Sequence, residues 1–241
     1  MSRRRPFWLP VLAAMLATAG FVALGVWQLH RAAEKRALID MIRQGTAAPT
    51  QPLPDSPAGL ARLAYHRARA HGHFLPGHQF LLDNKILHGR LGFDVLTPFV
   101  LEDGRTVLVD RGWTPAGPDR KPIRSITLDA TGPMEIAGRI WLPEAGVAVV
   151  PALAAEQAGQ WPRLTTRIDY PALSGALGRP LVHAVLRADG GASWVLAPRP
   201  LRPTFGPARH YGYAAQWFAL ALTVIIVTVA LLYRRRRRSE A

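Results

Sequence analysis

The chain has 241 residues, 49% of them hydrophobic, with 30 Lys and Arg against 16 Asp and Glu and no Cys. That length holds one ordinary domain beside membrane-spanning helices but not two, and the missing cysteines exclude disulfides, thiolate metal sites and thiol redox chemistry. A net charge of +14 would suit nucleic acid, but Arg3 to Arg5 and Arg234 to Arg238 each flank a long apolar run, so they read as topology signals and no nucleic-acid partner is expected.

Phe7 to Leu29 and Tyr211 to Tyr233 are each 23 residues without Asp, Glu, Lys, Arg or His. A hydrocarbon core about 30 Å thick needs about 20 helical residues, so residues 7–29 and 211–233 are predicted transmembrane helices. Short basic flanks stay in the cytoplasm. The expected topology is therefore a hairpin in a bacterial-type inner (plasma) membrane, multi-pass, with both termini and the basic tail 234–241 cytoplasmic and the centre periplasmic. A cleaved signal peptide is the competing reading of the first run, with Ala17-Thr18-Ala19 as the cleavage site. The apolar stretch runs ten residues past Ala19, which argues against it.

Residues 30–62 read as a helical extension to Ile42 followed by a linker or strap, in which Pro49, Pro52, Pro54 and Pro57 interrupt regular structure. Residues 63–205 read as one exported, mainly antiparallel β domain with minor helix. Strands are predicted at Tyr65–Phe74, Gln79–Asn84, Phe93–Leu101, Thr106–Arg111, Met134–Leu142, Leu181–Leu186 and Ser193–Ala197. Short helices are expected at Ala152–Ala158 and Tyr170–Leu177, and Glu102-Asp103-Gly104-Arg105 reads as a hairpin turn.

The richest constellation opens the second span: His210-Tyr211-Gly212-Tyr213-Ala214-Ala215-Gln216-Trp217-Phe218. At 3.6 residues per turn His210, Tyr213, Ala214 and Trp217 share a face, which would set an imidazole above an aromatic pair and suit a flat ligand. A neutral imidazole at a membrane boundary can be the axial ligand of haem iron. An interfacial belt of Tyr and Trp with a polar boundary His explains the same residues. The exported end of the first span carries Trp27, Gln28 and Arg31, at the same depth in a hairpin, so a site could form from Gln28, Arg31, His210 and Gln216. Arg31 would pair a ligand carboxylate, or else complement the helix C-terminus and snorkel to headgroups. Gly25, Gly212, Ala214 and Ala215 would permit close helix contact. In the exported domain Asp110 and Arg111 read as a turn-fixing pair, and His71 and His73 alternate on one strand face as a two-ligand metal candidate with no third ligand beside it. No catalytic constellation is legible, so no enzyme is expected.

Four ordered stretches carry a resemblance. They are Leu24-Gly25-Val26-Trp27-Gln28-Leu29-His30-Arg31; Asp83-Asn84-Lys85 with Gly92-Phe93-Asp94-Val95-Leu96-Thr97-Pro98-Phe99; Val109-Asp110-Arg111-Gly112-Trp113-Thr114-Pro115; and the run from His210 to Phe218. With the two-span pattern they make nearly the whole chain resemble the surfeit locus protein one family, assembly factors of haem-copper cytochrome c oxidase. The resemblance implies delivery of haem a to subunit I, or its stabilisation there, with His210 as iron ligand and with subunit I and the haem a synthesis machinery as partners. The family usually has Asn-Arg where this chain has Asn84-Lys85, so the planar fork donor is lost there. A scaffold that binds the nascent oxidase subunit without carrying haem is the alternative.

Overall fold

A computed structural model describes residues 8–128, 130, 132–143, 159–199 and 206–240. The chain divides into two compact units, Met1–Met41 with Arg202–Ala241, and Ile42–Leu201.

The first unit is a helix pair. Helix α1 runs Trp8–Ala47 and α4 runs Pro207–Glu240, and both are long and apolar enough to cross a membrane. Along α1 the residues Val11, Ala14, Thr18, Phe21, Gly25, Gln28, Ala32 and Lys35 are partly or fully buried while most of their neighbours are exposed; along α4 the same holds for Pro207, His210, Ala214, Trp217, Ala221, Val224 and Thr228. Spacings alternating between three and four are the seam of a left-handed helix pair. Phe21 meets Trp217, Gly25 meets Phe218 and Gln28 meets His210, so the helices are antiparallel. Gly25, Ala32, Ala214 and Ala221 let them approach closely. Gly212 and Ala215, expected at this contact, are instead exposed.

The second unit begins with the end of α1, which extends past Ile42 to Ala47. The Pro-rich stretch is more ordered than a linker. It holds β1 (Gln51–Pro52), paired parallel to β2 (Arg67–Phe74), and α2 (Pro57–Arg62), whose Ser56 N-cap accepts from Gly59 N at 3.2 Å. Proline fits both places, since an edge strand and a first helical turn need no donor there.

The remaining strands are β3 (Phe80–Leu87), β4 (Arg90–Leu101), β5 (Thr106–Pro115), β6 (Met134–Trp141), β7 (Arg163–Thr165) and β8 (Leu181–Ala188), in the sheet order β1-β2-β6-β8-β5-β4-β3-β7. β2 pairs with β6 through 67–72 and with β4 through 72–74, so β2, β6, β8, β5 and β4 form a closed, barrel-like ring. Gly72 stands where β2 changes partner, and a Cβ there would lie 2.0 Å from the Val100 carbonyl oxygen. Most pairings are antiparallel as expected, but β1–β2, β3–β7 and β5–β8 are parallel. Alternate residues of β5 face opposite ways: Val107 and Val109 join Phe74, Phe99, Ile136, Ile140 and Leu186 within the ring, whereas Leu108 joins Phe80, Leu82, Leu96 and Val185 beneath helix α3 (Tyr170–Leu177).

Helix α3 has the predicted bounds, with Asp169 accepting from Ala172 N at 3.2 Å and Gly178 ending it at φ +70°. The Asp103-Gly104 turn joins β4 to β5, with Gly104 at φ +85°. Ser193–Ala197 is not a strand; it begins as a turn and meets β5 through the bridge Trp113–Ala197 and a bond from Leu196 N to the Arg111 carbonyl at 2.6 Å. The helix expected at 152–158 lies outside the described residues. His71 pairs with Glu135 at 2.9 Å on the neighbouring strand, and among the described residues no three His, Cys, Asp or Glu gather as a metal site.

Candidate functional site

The helix pair brings two of the predicted residues together. His210 Nδ1 lies 2.8 Å from Gln28 Oε1, partly buried at the seam. With the Gln28 amide oxygen facing Nδ1, the tautomer that completes this bond is the one with its proton on Nδ1, which leaves the Nε2 lone pair available. Trp217 is also on the seam, stacked on Phe21 with ring centroids 5.7 Å apart. Tyr213 does not share the His210 face; it is 40% exposed, with the Arg209 guanidinium 5.8 Å from its ring centre. Gln216 and Trp27 also point away from the seam. Arg31 forms an exposed ion pair with Glu34 at 2.6 Å, three residues on along the helix. Such a pair contributes about 0.2–1 kcal/mol and can be exchanged for another anion.

A second constellation lies in the β unit, where charged side chains are buried. Asp94 on β4 and Asp110 on β5 are buried, and Arg187 on β8 is 8% exposed. Arg199 grips Asp94 with two nitrogens, its Nε at 3.0 and 3.1 Å from the two oxygens. Arg187 Nε sits 2.9 Å from Asp110 Oδ2 without aiming its N–H at it, and Arg187 also donates to the Arg199 carbonyl at 2.9 Å. Asp110 Oδ1 accepts from Gly112 N at 2.9 Å. Burial, and then the neighbouring Asp94, push the Asp110 carboxyl up to about 6. Burial draws the Lys85 ammonium down, partly offset by Asp94, while the bond to Asp94 holds the Arg199 guanidinium up.

Asp110 and Arg111 therefore do not fix a turn; they are core residues of a strand. Arg111 is 2% exposed and forms no ion pair among the described residues. It donates to the carbonyls of Trp194 at 2.9 Å, Ile126 at 2.8 Å and Thr127 at 3.3 Å, and burial lowers its pKa to about 10, which leaves it charged at neutral pH. The side chain ties two irregular segments to the barrel. Local pattern could not reveal this, because its acceptors are backbone carbonyls 15 to 83 residues away. Arg187 and Arg199 were missed for the same reason: nothing near them in sequence marks their carboxylate partners.

A sequence model of the SURF1 family matches residues 15–222. The chain is similar to a SURF1-like protein of Mycobacterium tuberculosis, 32% identical over 140 residues, covering 52% of this chain and 51% of that protein. It is similar to Surfeit locus protein 1 of Takifugu rubripes, 32% over 156 residues, covering 57% and 63%. It is similar to a SURF1-like protein of Rickettsia conorii, 27% over 228 residues, covering 89% and 87%. The match thus spans about half the length of the mycobacterial relative and most of the rickettsial one.

Proposed function

The chain belongs to the SURF1 family, and from that premise we propose that it is a membrane-anchored assembly factor for haem-copper cytochrome c oxidase that holds haem a through His210 and passes it to subunit I. Membership implies a role in oxidase assembly. The observation that supports haem as the cargo is the bond from His210 Nδ1 to Gln28 Oε1. Histidines that ligate metals commonly donate their other ring N–H to a fixed acceptor, which sets the tautomer and raises the basicity of the ligating nitrogen. Here the acceptor comes from the opposite helix, so the imidazole is oriented before any ligand arrives.

The other residues fit a hydrophobic macrocycle with acidic edges. Trp27 and Tyr213 offer exposed aromatic surface, Gln216 an exposed amide, and Arg31 a guanidinium whose present partner is weakly held. Bound haem would supply an iron centre that takes one lone pair, and His210 Nε2 is the nitrogen left to give it. On this reading the β unit is periplasmic, both termini are cytoplasmic, and subunit I and the haem a synthesis machinery are the partners. The topology rests on the basic flanks. No catalytic step is assigned to the chain.

The scaffold reading draws on one specific feature: Trp217 is engaged with Phe21, and Trp27, Tyr213 and Gln216 lie off the seam, as an interfacial belt would. An absorption spectrum of the full chain, purified in mild detergent from cells making haem a, separates the two. A Soret band in the wild type that His210→Ala loses while remaining inserted supports haem carriage. Absence of the band from the wild type, or its persistence in the variant, overturns it.

A further inference from the structure

We propose that a cationic cleft in the β unit is a docking site for an acidic, partly apolar segment of a partner protein. The proposal does not rest on haem binding. The cleft has a volume of about 740 Å³ and lies between residues 120–127 and residues 160–164, with Gln79 and Leu81 of the β3 region behind it. That size is within the range of roughly 300–1,000 Å³ typical of ligand sites.

Its lining includes Arg120, Lys121 and Arg124, and no Asp or Glu among the described residues. Each cation is presented in its own way. Arg120 is held by Asp83, whose side chain is 4% exposed and which also accepts from Asn84 N at 2.7 Å. A closed turn, with Gly117 N donating to the Lys121 carbonyl at 2.7 Å and Arg120 N to the Gly117 carbonyl at 3.0 Å, fixes the segment and holds Arg120 at φ +56°. Lys121 and Arg124 are exposed and make no ion pair among the described residues.

The apolar part is equally specific. Trp161 forms a wall, braced by the rings of His78 at 4.9 Å and Phe80 at 5.0 Å, with the Arg163 guanidinium 5.4 Å from its ring centre. Ile123 is 56% exposed between Lys121 and Arg124. A free phosphate or a bare headgroup would need the cations but not Trp161 and Ile123. An acidic peptide with apolar side chains uses both, and Gln79, Gln160, Ser125 and Thr127 in the lining supply amide and hydroxyl partners for its backbone. Rim cations of this kind act chiefly on association rate and salt dependence.

The test uses the full chain in nanodiscs of neutral phosphatidylcholine and a fluorescein-labelled peptide of alternating Glu and Leu, followed by fluorescence anisotropy. The expected result is salt-sensitive binding, absent for a peptide with Lys in place of Glu, and weakened at least tenfold by the double change Lys121→Glu and Arg124→Glu. Near-UV circular dichroism checks that the double variant keeps its fold; Arg124→Gln, a milder surface change, should show a smaller loss in the same direction. Equal binding by the variants, or none by the wild type, overturns the proposal. So does displacement of the peptide by phosphatidylglycerol vesicles to the same extent as by excess unlabelled peptide, which would assign the cleft to anionic lipid.

Discussion

Replacing Arg111 by Met should destabilise the β unit by about 2–4 kcal/mol. Two of the three carbonyls it serves, those of Trp194 and Ile126, accept at 2.9 and 2.8 Å, and the third at 3.3 Å is weak. A hydrogen bond to a charged donor contributes about 1.5–3 kcal/mol net, so losing two costs about 3–6 kcal/mol. Methionine recovers part of that, because it fills similar space without the desolvation penalty of a buried cation. Against a total stability of about 5–15 kcal/mol the loss is large. Urea unfolding of the full chain in mild detergent, followed by near-UV circular dichroism, would measure it, since Trp194 packs edge-on against Phe74 with ring centroids 5.1 Å apart. Arg111→Lys should recover about one bond's worth, because a single ammonium cannot span acceptors on two segments. Arg179→Met, on the surface, should stay within about 0.5 kcal/mol of wild type. An Arg111→Met variant within about 1 kcal/mol of wild type would refute the stapling role.

Asp110 should make stability fall as pH rises from about 4 to about 6. Its carboxyl is raised from 3.8 to about 6, so in that window the folded state keeps a proton the unfolded chain has released, and the benefit is lost above it. Unfolding free energies at pH 4.5 and 7 should differ between wild type and Asp110→Asn by about 1–3 kcal/mol, with wild type favoured at the lower pH; a difference of the opposite sign would show that the pair with Arg187 dominates. Gly25→Leu should push the helix pair apart, because even a Cβ at position 25 lies 2.6 Å from Phe218 Cε1. With no native Cys, bismaleimide cross-linking of Thr18→Cys to Ala221→Cys, opposite each other in the register set by Phe21–Trp217 and Gln28–His210, reads this directly, and undiminished cross-linking would contradict the close seam. Gln28→Leu removes the acceptor for His210 Nδ1; on the haem reading it should weaken haem retention by about 10–100-fold and shift the absorption bands, whereas retention equal to wild type would show that the bond does not orient the ligand.

The two long helices, the Asp103-Gly104 turn and α3 were legible in the amino-acid sequence because each satisfies its own hydrogen bonds locally and is bounded by local signals. His210 and Gln28 could be placed at one depth, since a hairpin of two apolar runs leaves little choice. Their contact could not, because residues 182 apart meet only if the helices adopt one particular rotation. An all-round apolar helix hides that rotation; the three-and-four seam through Gly25 and Ala214 emerges only from which residues lose exposure. The same divide runs through the β unit. Alternation marked most of its strands, yet ring closure at Gly72, the parallel partners of β1 and β7, and the burial of Asp94, Asp110 and Arg111 all depend on long-range pairing. A charged residue in a strand reads as solvent-facing until the segment that buries it, here Trp194 to Arg199, is folded across it.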